Sequence, residues 1–153
     1  MSDFKNIEIR PMTIEDYDEI FAMWQITTKR ALSEADSREN INFYLQRNPG
    51  MSQVALADGK IVGTVLCGHD GRRGCLYHVC VKEEVRMHGI GKAMVVKCME
   101  KLRSEGINKV SLIAFTTNDI GNAFWKQVGW TKSEDLNYYD FTLNEANITA
   151  FNR

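Results

Sequence analysis

Long hydrophobic runs are missing from this sequence, and no apolar stretch approaches the length needed to cross a membrane. Residues 1–8 are largely polar and charged, which is not typical of a signal peptide. An excess of charge of one sign is also missing, because 19 Lys and Arg residues nearly balance 20 Asp and Glu residues. A formal net charge of −1 gives no reason to expect non-specific binding to nucleic acid or to a membrane surface. We therefore expect a cytoplasmic protein that binds neither nucleic acid nor a membrane.

Cysteines are few, and their positions do not indicate a disulfide framework. All four lie within predicted strands or a predicted helix, with no secretion signal: Cys67, Cys75, Cys80 and Cys98. Cys67 and Cys75 could form a metal site together with His69 and His78. However, Cys75 and His78 are three residues apart on one predicted strand, so their side chains are expected on opposite faces. We therefore expect no metal ion.

The length of the chain limits the number of domains. With 153 residues, of which 44% are hydrophobic and 25% charged, the chain is typical of one soluble globular domain. We expect a single domain over residues 1–153, in which residues 144–153 form a polar C-terminal tail.

Hydrophobic periodicity predicts the element order β-α-α-β-β-β-α-β-α-β-β. Thr13 and Asp16 form a capping box at the first helix, and Pro49 with Gly50 ends the second. Helices are predicted to begin near residues 13, 36 or 37, 90 and 118. Strands are predicted over residues 7–10, 54–57, 61–67, 75–81 and 110–114, then from 130 and over 139–143.

A glycine-containing loop joins the predicted strand ending at Val79-Cys80-Val81 to the longest predicted helix. Gly89 and Gly91 stand at the start of that helix, whose N-terminus presents unpaired N–H groups and a partial positive charge. Because glycine has no Cβ, an anion can approach this backbone closely. The loop therefore predicts a binding site for phosphate groups.

Two familiar phosphate-binding motifs do not fit this loop. A P-loop needs Gly at position 86 and Ser or Thr at position 93, where the chain has Arg86 and Ala93. A dinucleotide-binding fingerprint needs a glycine-like residue at position 94, which is Met94. It also needs a carboxylate after the next strand, and none stands near Ser111. Both motifs are therefore disfavoured.

The loop and a downstream segment together resemble one protein superfamily. Arg86-x-x-Gly89-x-Gly91 directly after a strand resembles the loop with which the GNAT superfamily of N-acetyltransferases binds the pyrophosphate of coenzyme A. The segment from Asn118 to Trp130 is similar to the helix and turn Asn-x-x-Ala-x-x-Leu-Tyr-x-x-x-Gly-Phe of the same superfamily. Order and spacing of both segments match, and the resemblance covers about residues 5–143.

The resemblance implies an α/β fold with a twisted mixed sheet and helices on both of its faces. It also implies acetyl-CoA as the co-substrate, whose pantetheine arm pairs with the end of the central strand like an added strand. The coenzyme-binding residues that it implies are Val79, Cys80, Val81, Arg86, Met87, His88, Gly89, Ile90, Gly91, Lys92, Ala93, Asn118, Phe124 and Trp125. Asn118 also fits a plain helix N-cap, and His88 fits an exposed loop histidine equally well.

Trp125 departs from the superfamily pattern, in which a Tyr at this position commonly protonates the departing thiolate. An indole N–H can donate a hydrogen bond, but it is not a proton source near neutral pH. Either another group supplies the proton, or the thiolate leaves and takes its proton from water.

Three side chains are candidates for proton transfer: Tyr77, His78 and Tyr139. Members of the superfamily often carry their base at the positions of Cys75 or Tyr77. In a regular strand these two residues share one face while His78 faces the other way, which favours Tyr77. An imidazole is the better base near neutral pH, although His78 also fits a core histidine that is hydrogen-bonded to a loop.

The resemblance implies transfer of an acetyl group from acetyl-CoA to a primary amine by direct attack in a ternary complex. The missing Tyr keeps an alternative open, a domain that senses acyl-CoA without turning it over. Glu34, Asp36 and Glu39 border the acceptor site in the superfamily and would attract a cationic amine, although a solvated charge cluster explains them as well. The acceptor is a small-molecule or peptide amine whose class the sequence leaves open, as it leaves open a homodimer.

Overall fold

One five-stranded sheet forms the centre of the protein in a computed structural model that describes residues 6–144. Each of the first three strands is antiparallel to the next, whereas the last strand runs parallel to the fourth. The sheet is therefore mixed, as predicted. Its strands lie side by side in chain order: β1 (Ile7–Pro11), β2 (Gln53–Ala57), β3 (Lys60–His69), β4 (Gly74–Val81) and β5 (Val110–Ser111).

Helices cover both faces of the sheet. One face packs against α3 through buried side chains such as Met94 and Leu102. The opposite face packs against α1 and α2 around the buried residues Trp24 and Ile41. The predicted α/β architecture is therefore confirmed. The four α-helices are α1 (Tyr17–Thr27), α2 (Arg38–Arg47), α3 (Ile90–Ser104) and α4 (Asp119–Gln127). Short 3-10 turns lie at Ile14–Asp16, Lys29–Ala31, Glu34–Asp36 and Glu83–Val85.

Short polar residues start the helices where the sequence predicts them. The N–H of Thr13 donates to the Asp16 carboxylate over 2.8 Å, which forms the expected capping box. The Ser37 hydroxyl accepts from the N–H of Asn40 at the start of α2 over 3.2 Å. These bonds satisfy amide groups that have no partner within the helix. Among the described residues, no helix is long and apolar enough to span a membrane.

A bulge interrupts β4 in its middle. Leu66 of β3 lies opposite Tyr77, and Thr64 lies opposite Cys80, so a step of two residues in β3 spans three residues of β4. His78 takes up the extra residue and has a φ of +45°, a left-handed conformation that is uncommon for residues other than glycine.

The bulge changes which side chains of β4 share a face. Leu76 packs in the core on the α3 side, whereas Cys80 packs on the side of α1 and α2. A regular strand would place both on one face. Tyr77 and His78 both lie on the side of α1 and α2, where their rings contact aromatic residues of these helices. The prediction that Tyr77 and His78 face opposite ways is therefore wrong, because the bulge shifts by one residue the alternation of side chains between the two faces of the sheet.

β4 and β5 separate after a short pairing. Only Gly74 and Cys75 of β4 pair with β5, although β4 continues to Val81. Within residues 6–144, the edge of β4 that faces away from β3 therefore has no strand partner over residues 76–81. We call this segment the open edge of β4. It leads directly into the loop before α3.

The strands predicted from Trp130 and over residues 139–143 are not formed in the structure. The side chains that were expected to face inward are instead exposed, by 87% at Tyr139, 86% at Phe141 and 95% at Leu143. Alternation of side chains gives a segment the capacity to form a strand, but a strand also needs a paired neighbour. β5 offers only two paired residues as a template. Apart from the exposed Asn144, the predicted polar tail lies outside the described residues.

Candidate active site

The loop between β4 and α3 is held against the end of the strand. Arg86 donates a hydrogen bond from Nε to the carbonyl oxygen of Val81 over 3.0 Å. Val85 is buried beneath the loop. Met87 and Gly89 then take left-handed conformations, with φ values of +70° and +78°, which turn the chain into α3. Contacts within the chain therefore hold the loop in a defined conformation.

The first turn of α3 presents main-chain N–H groups. The first hydrogen bond of the helix runs from the N–H of Ala93 to the carbonyl oxygen of Gly89 over 3.0 Å. As at any helix N-terminus, the N–H groups of Ile90, Gly91 and Lys92 have no acceptor within the helix. The side chain of Lys92 is exposed beside them. Amide dipoles and a positive side chain together favour an anion at this position.

The two glycines of the loop leave different kinds of space. A Cβ at Gly89 would meet nothing within 4 Å, so this side of the loop is open to a ligand. A Cβ at Gly91 would lie 3.3 Å from the ring of Phe124 and 3.5 Å from a methyl carbon of Val81. Gly91 therefore lets α4 pack closely against the start of α3. These residues fit the coenzyme loop that the sequence predicts. Gly89 leaves room for a ligand to approach the backbone, and Gly91 leaves room for α4 to pack against it.

α4 begins with the polar residue that the sequence predicts. The Asn118 side-chain oxygen accepts from the N–H of Gly121 over 3.0 Å, so Asn118 is the N-cap. A Cβ at Gly121 would come within 2.5 Å of the Asn118 amide nitrogen. A larger residue at this position would require the Asn118 side chain to shift.

Three aromatic side chains fix the other end of α4. The ring of Trp125 lies 4.9 Å from the ring of Phe124 and 4.7 Å from the ring of Trp130. All three are half-buried and pack against the core on the α3 side. Trp125 therefore stands on the same side of the sheet as the phosphate-binding loop, where it offers an aromatic surface and no hydroxyl group.

On the opposite side of the open edge, His78 pairs with Asp36. Nε2 of His78 lies 2.8 Å from Oδ1 of Asp36, and the two side chains are only 8% and 7% exposed. The His78 ring also lies 4.6 Å from the ring of Trp24. Its carbonyl oxygen accepts a bond from the Thr64 hydroxyl over 2.9 Å, which holds the bulged backbone. His78 is therefore fixed at both its main chain and its ring.

Tyr77 lies beside His78 and is half-exposed. Its ring meets the edge of the Tyr44 ring at 6.4 Å. The neighbouring Cys75 side chain and, after it, partial burial raise the pKa of Tyr77 to about 12. Burial also raises the pKa of the Cys75 thiol. Tyr77 is therefore a protonated phenol at neutral pH, which can donate a proton more readily than it can accept one.

The structure brings together two of the three predicted proton carriers. Tyr77 and His78 are neighbours on one face, whereas Tyr139 is exposed and none of its described contacts joins it to β4. Asp36 was predicted only as one of three acidic residues that either attract a cationic amine or form a solvated cluster, and its pairing with His78 was missed. Of these three residues, Asp36 is buried, Glu34 is half-buried and Glu39 is exposed.

One sequence signal points to the burial of Asp36. Ser33-x-x-Asp36 is a capping box, in which the Ser33 N–H donates to Oδ2 of Asp36 over 3.0 Å. Such a box turns a carboxylate back onto the chain instead of outward into solvent.

The imidazoles considered for a metal site bind carboxylates instead. His69 pairs with Glu105 over 2.8 Å, just as His78 pairs with Asp36. In the part of the chain that the structure describes, no group of three or more His, Cys, Asp or Glu side chains is placed to hold a metal ion.

Comparison with known proteins agrees with this geometry. The model of the acetyltransferase (GNAT) family matches residues 13–130. The chain is 32% identical over 113 residues to Acetyltransferase plu1384 of Photorhabdus laumondii, which covers 74% of this chain and 78% of the relative.

Solved structures share the fold at lower identity. The PaiA N-acetyltransferase of Thermoplasma acidophilum in complex with coenzyme A superimposes with a TM-score of 0.73 at 23% identity, covering 86% of this chain and 93% of that one. The aminoglycoside acetyltransferase AAC(6')-Iy with the bisubstrate analogue CoA-S-monomethyl-acetylneamine gives 0.73 at 16% identity, covering 90% and 99%. The family match and the 32% identical relative establish that the chain belongs to the acetyltransferase (GNAT) family and is an acyl-CoA-dependent acetyltransferase.

Proposed function

We propose that the protein transfers an acetyl group from acetyl-CoA to a primary amine by direct attack within a ternary complex. The observation that carries this proposal is the open edge of β4. It has the amide-rich start of α3 on one side and the buried His78–Asp36 pair on the other. A thioester lying along this edge would therefore reach both a site for its phosphates and a site for its amine partner.

The coenzyme would bind on the α3 side of the open edge. Its pyrophosphate would accept hydrogen bonds from the loop and the first turn of α3, at Arg86, Met87, His88, Gly89, Ile90, Gly91, Lys92 and Ala93. Its pantetheine arm would pair with the main chain of Val79, Cys80 and Val81 as an added strand. Asn118, Phe124 and Trp125 of the neighbouring helix would line the other side of the arm. The coenzyme A complex of the Thermoplasma relative supports this ligand class.

The amine would bind on the side of α1 and α2. Acetyl-CoA supplies the reactive thioester carbonyl. The amine nitrogen, once neutral, forms a bond to this carbon, the carbon–sulfur bond breaks, and the sulfur leaves with the bonding electron pair. The nitrogen then loses a proton, and the departing sulfur gains one. The main-chain N–H near Val79 would stabilise the negative charge that develops on the carbonyl oxygen.

Two side chains of β4 suit the two proton transfers. His78 would take the proton from the amine, because an imidazole is a good acceptor near neutral pH. Tyr77, which stays protonated, would deliver a proton to the departing sulfur directly or through water. Tyr139 would be a second phenol for this step, which requires that residues 131–144 place its side chain beside β4. Because Trp125 has no acidic proton, the α4 position does not serve this role.

A domain that only senses acyl-CoA is disfavoured, because the chain belongs to an acetyltransferase family. Trp125 is the feature that such a sensor would explain, because this side chain provides an aromatic wall for the pantetheine arm without a proton donor for the thiolate. In a sensor, acetyl-CoA would bind and nothing would be transferred.

Two assays separate these functions. Thermal denaturation with acetyl-CoA, CoA, ATP and NAD should show stabilisation by the first two alone. Thiol release from acetyl-CoA should then rise with at least one of an alanyl peptide, lysine, spermidine and neamine. Stabilisation without amine-dependent thiol release would favour the sensor, and stabilisation by ATP or NAD alone would contradict both functions.

A further inference from the structure

We propose that Asp36 is a positioning residue that fixes the His78 imidazole in the form that accepts the proton of the attacking amine. This inference rests on the proposed acetyl transfer and adds to it a residue of the α1–α2 connection. Its support comes from the backbone of β4, the two carboxylate oxygens of Asp36 and the Nδ1 atom of His78.

The bulge brings His78 to the amine side of the sheet. Without the extra residue, the alternation of β4 would turn its ring toward α3. The left-handed φ of +45° at His78 costs free energy for a residue with a side chain, so it persists only where the surroundings hold it. Two bonds hold it here, because Trp24 donates from Nε1 to the Thr64 hydroxyl, which donates in turn to the carbonyl oxygen of His78, each over 2.9 Å.

Asp36 is held as firmly as His78. Its Oδ2 accepts from the N–H of Ser33 over 3.0 Å, and its main-chain carbonyl oxygen accepts from the Tyr17 hydroxyl over 2.7 Å. The residue is only 5% exposed. A carboxylate this buried needs hydrogen-bond donors on both oxygens, and within residues 6–144 Oδ1 receives its donor from His78 alone.

The hydrogen-bond pattern therefore selects one tautomer of the imidazole. A carboxylate only accepts, so Nε2 of His78 carries the hydrogen that points at Oδ1. In the neutral ring Nδ1 then has a lone pair and no hydrogen. This arrangement matches the way in which a buried carboxylate orients a catalytic histidine in other enzymes.

Nδ1 of His78 is the atom left to react. Among the described residues, Nδ1 has no hydrogen-bond partner. In the same part of the chain, every buried side-chain nitrogen or oxygen atom has a hydrogen-bond partner. Nδ1 must therefore be reached by solvent, although most of the ring is buried. A solvent-reachable lone pair on a fixed ring is what proton removal from an amine requires.

In the step that follows, the amine forms its carbon–nitrogen bond and Nδ1 takes up one proton from nitrogen. His78 becomes an imidazolium, and the Asp36 carboxylate stabilises its positive charge. The ring later returns the proton to water. The released thiolate takes a proton from water directly, or from Tyr77, which then regains its own proton from water. No oxidant, reductant or metal is needed for this balance.

Kinetics of matched variants test the role of Asp36. Asp36→Asn keeps the shape of the side chain but removes its negative charge. The variant therefore no longer favours the Nε2–H tautomer of His78. In a parent enzyme that acetylates any amine of the panel above, we expect kcat to fall about ten- to a hundredfold. The dissociation constant for acetyl-CoA should stay within about twofold of the parent value, because Asp36 lies on the far side of the sheet from α3.

Two controls remove contacts of the same segment without touching the two paired side chains. Ser33→Ala removes the capping hydroxyl, and Asn40→Ala removes the side-chain bond to the Glu34 carbonyl oxygen. A purely structural role of Asp36 predicts equal losses of kcat in all three variants, which would overturn the proposal. Our proposal predicts a kcat near the parent value for Ser33→Ala and Asn40→Ala.

Nitrogen NMR of the imidazole ring gives a readout that needs no acceptor. The parent should show His78 as the Nε2–H tautomer, and Asp36→Asn should show a mixture of both tautomers. A hydrogen on Nδ1 in the neutral parent would refute the inference. A parent that releases no thiol with any amine would refute the proposed function. A parent that turns over while Asp36→Asn keeps its full kcat would refute only the role of Asp36.

Discussion

In our proposal, proton transfer depends on side chains of β4 rather than on α4. Trp125 lies between Phe124 and Trp130 and has no ionisable hydrogen near neutral pH. Tyr77 is the phenol nearest to the open edge of β4 that the described contacts place, and its raised pKa keeps its proton in place. A phenol and an imidazole side by side divide the two proton transfers between a donor and an acceptor.

Tyr77→Phe should separate catalysis from coenzyme binding. The variant keeps the ring that contacts Tyr44 and removes only the hydroxyl. We expect kcat to fall about ten- to a hundredfold while the affinity for acetyl-CoA stays near that of the parent. Steady-state kinetics with a saturating amine, together with calorimetric binding, check this. Parent-like kcat would mean that water protonates the sulfur.

The pH dependence of the rate tests the protonation state of Tyr77. With a pKa of about 12, the phenol loses its proton only far above neutral pH. A neutral donor works below its pKa and fails above it, so kcat should not fall between roughly pH 8 and 10 through ionisation of Tyr77. A rate profile in parent and Tyr77→Phe checks this expectation. A decline over this range that is present in the parent and absent from the variant would contradict it.

Individual site residues could be predicted where a pattern is local. Asn118 as an N-cap and Gly89 in a left-handed turn follow from neighbouring residues alone. The pairing of His78 with Asp36 joins residues that are 42 positions apart, and it depends on a bulge that the alternation of β4 does not reveal. No pattern of a single strand or helix predicts such a contact.

Among the elements, the loop before α3 should bind the coenzyme without being needed for folding. Gly89→Asn places a side chain in the open space beside the loop, and Asn tolerates the left-handed φ of +78°. We expect a loss of acetyl-CoA affinity of about tenfold or more with little change in melting temperature. Gly89→Val adds backbone strain of about 1–2 kcal/mol to the same effect, so it is the less specific variant. A folded Gly89→Asn protein with parent affinity would disprove the loop assignment.

Gly63 supplies the matched control inside the sheet. A Cβ at this position would lie 2.7 Å from the terminal methyl of Met94 and 3.3 Å from the Cys80 carbonyl oxygen. Gly63→Ala should therefore cost roughly 1–3 kcal/mol of unfolding free energy through overpacking. The folded protein should bind acetyl-CoA as the parent does. Urea denaturation measures the unfolding free energy, and calorimetry measures the affinity for acetyl-CoA. A Gly63→Ala protein that loses affinity but keeps its stability would contradict the roles assigned to the two glycines.

The N-cap of α4 allows capping to be separated from coenzyme contact. Asn118→Ala removes the bond to the Gly121 N–H and should cost about 1 kcal/mol of stability. Asn118→Asp and Asn118→Ser both keep a capping oxygen, but only the aspartate adds negative charge beside the proposed site of the anionic coenzyme. We expect Asn118→Asp to bind acetyl-CoA more weakly than Asn118→Ser at equal stability. Equal affinities would mean that Asn118 is a cap alone.

The sequence predicts the elements best where they bury one face. β1 to β4 and all four helices were predicted close to their observed positions, because a buried side needs periodic apolar residues. The last two predicted strands are absent, since the alternation at Tyr139, Phe141 and Leu143 has no sheet edge beside it in the structure. The strand predicted over 110–114 is likewise reduced to β5, whose pairing ends where β4 turns toward its bulge.

The protein as a whole places two different environments on the two sides of one strand. The α3 side offers main-chain amides and glycines for an anionic coenzyme, and the side of α1 and α2 offers an imidazole, a carboxylate and phenols for an amine. We propose that a thioester reaches both environments where the fourth and fifth strands separate. This division would make transfer in a ternary complex possible, and it is the central claim.

The most direct test of that claim is to measure amide formation and thiol release in one reaction. The protein would be incubated with acetyl-CoA and each amine of the panel, and the free thiol and the N-acetylated amine would be quantified together. We predict that thiol release accelerates only when a reactive amine is present, with one acetylated amine formed for each thiol released. Binding of acetyl-CoA with no amine-dependent release of thiol would contradict the account.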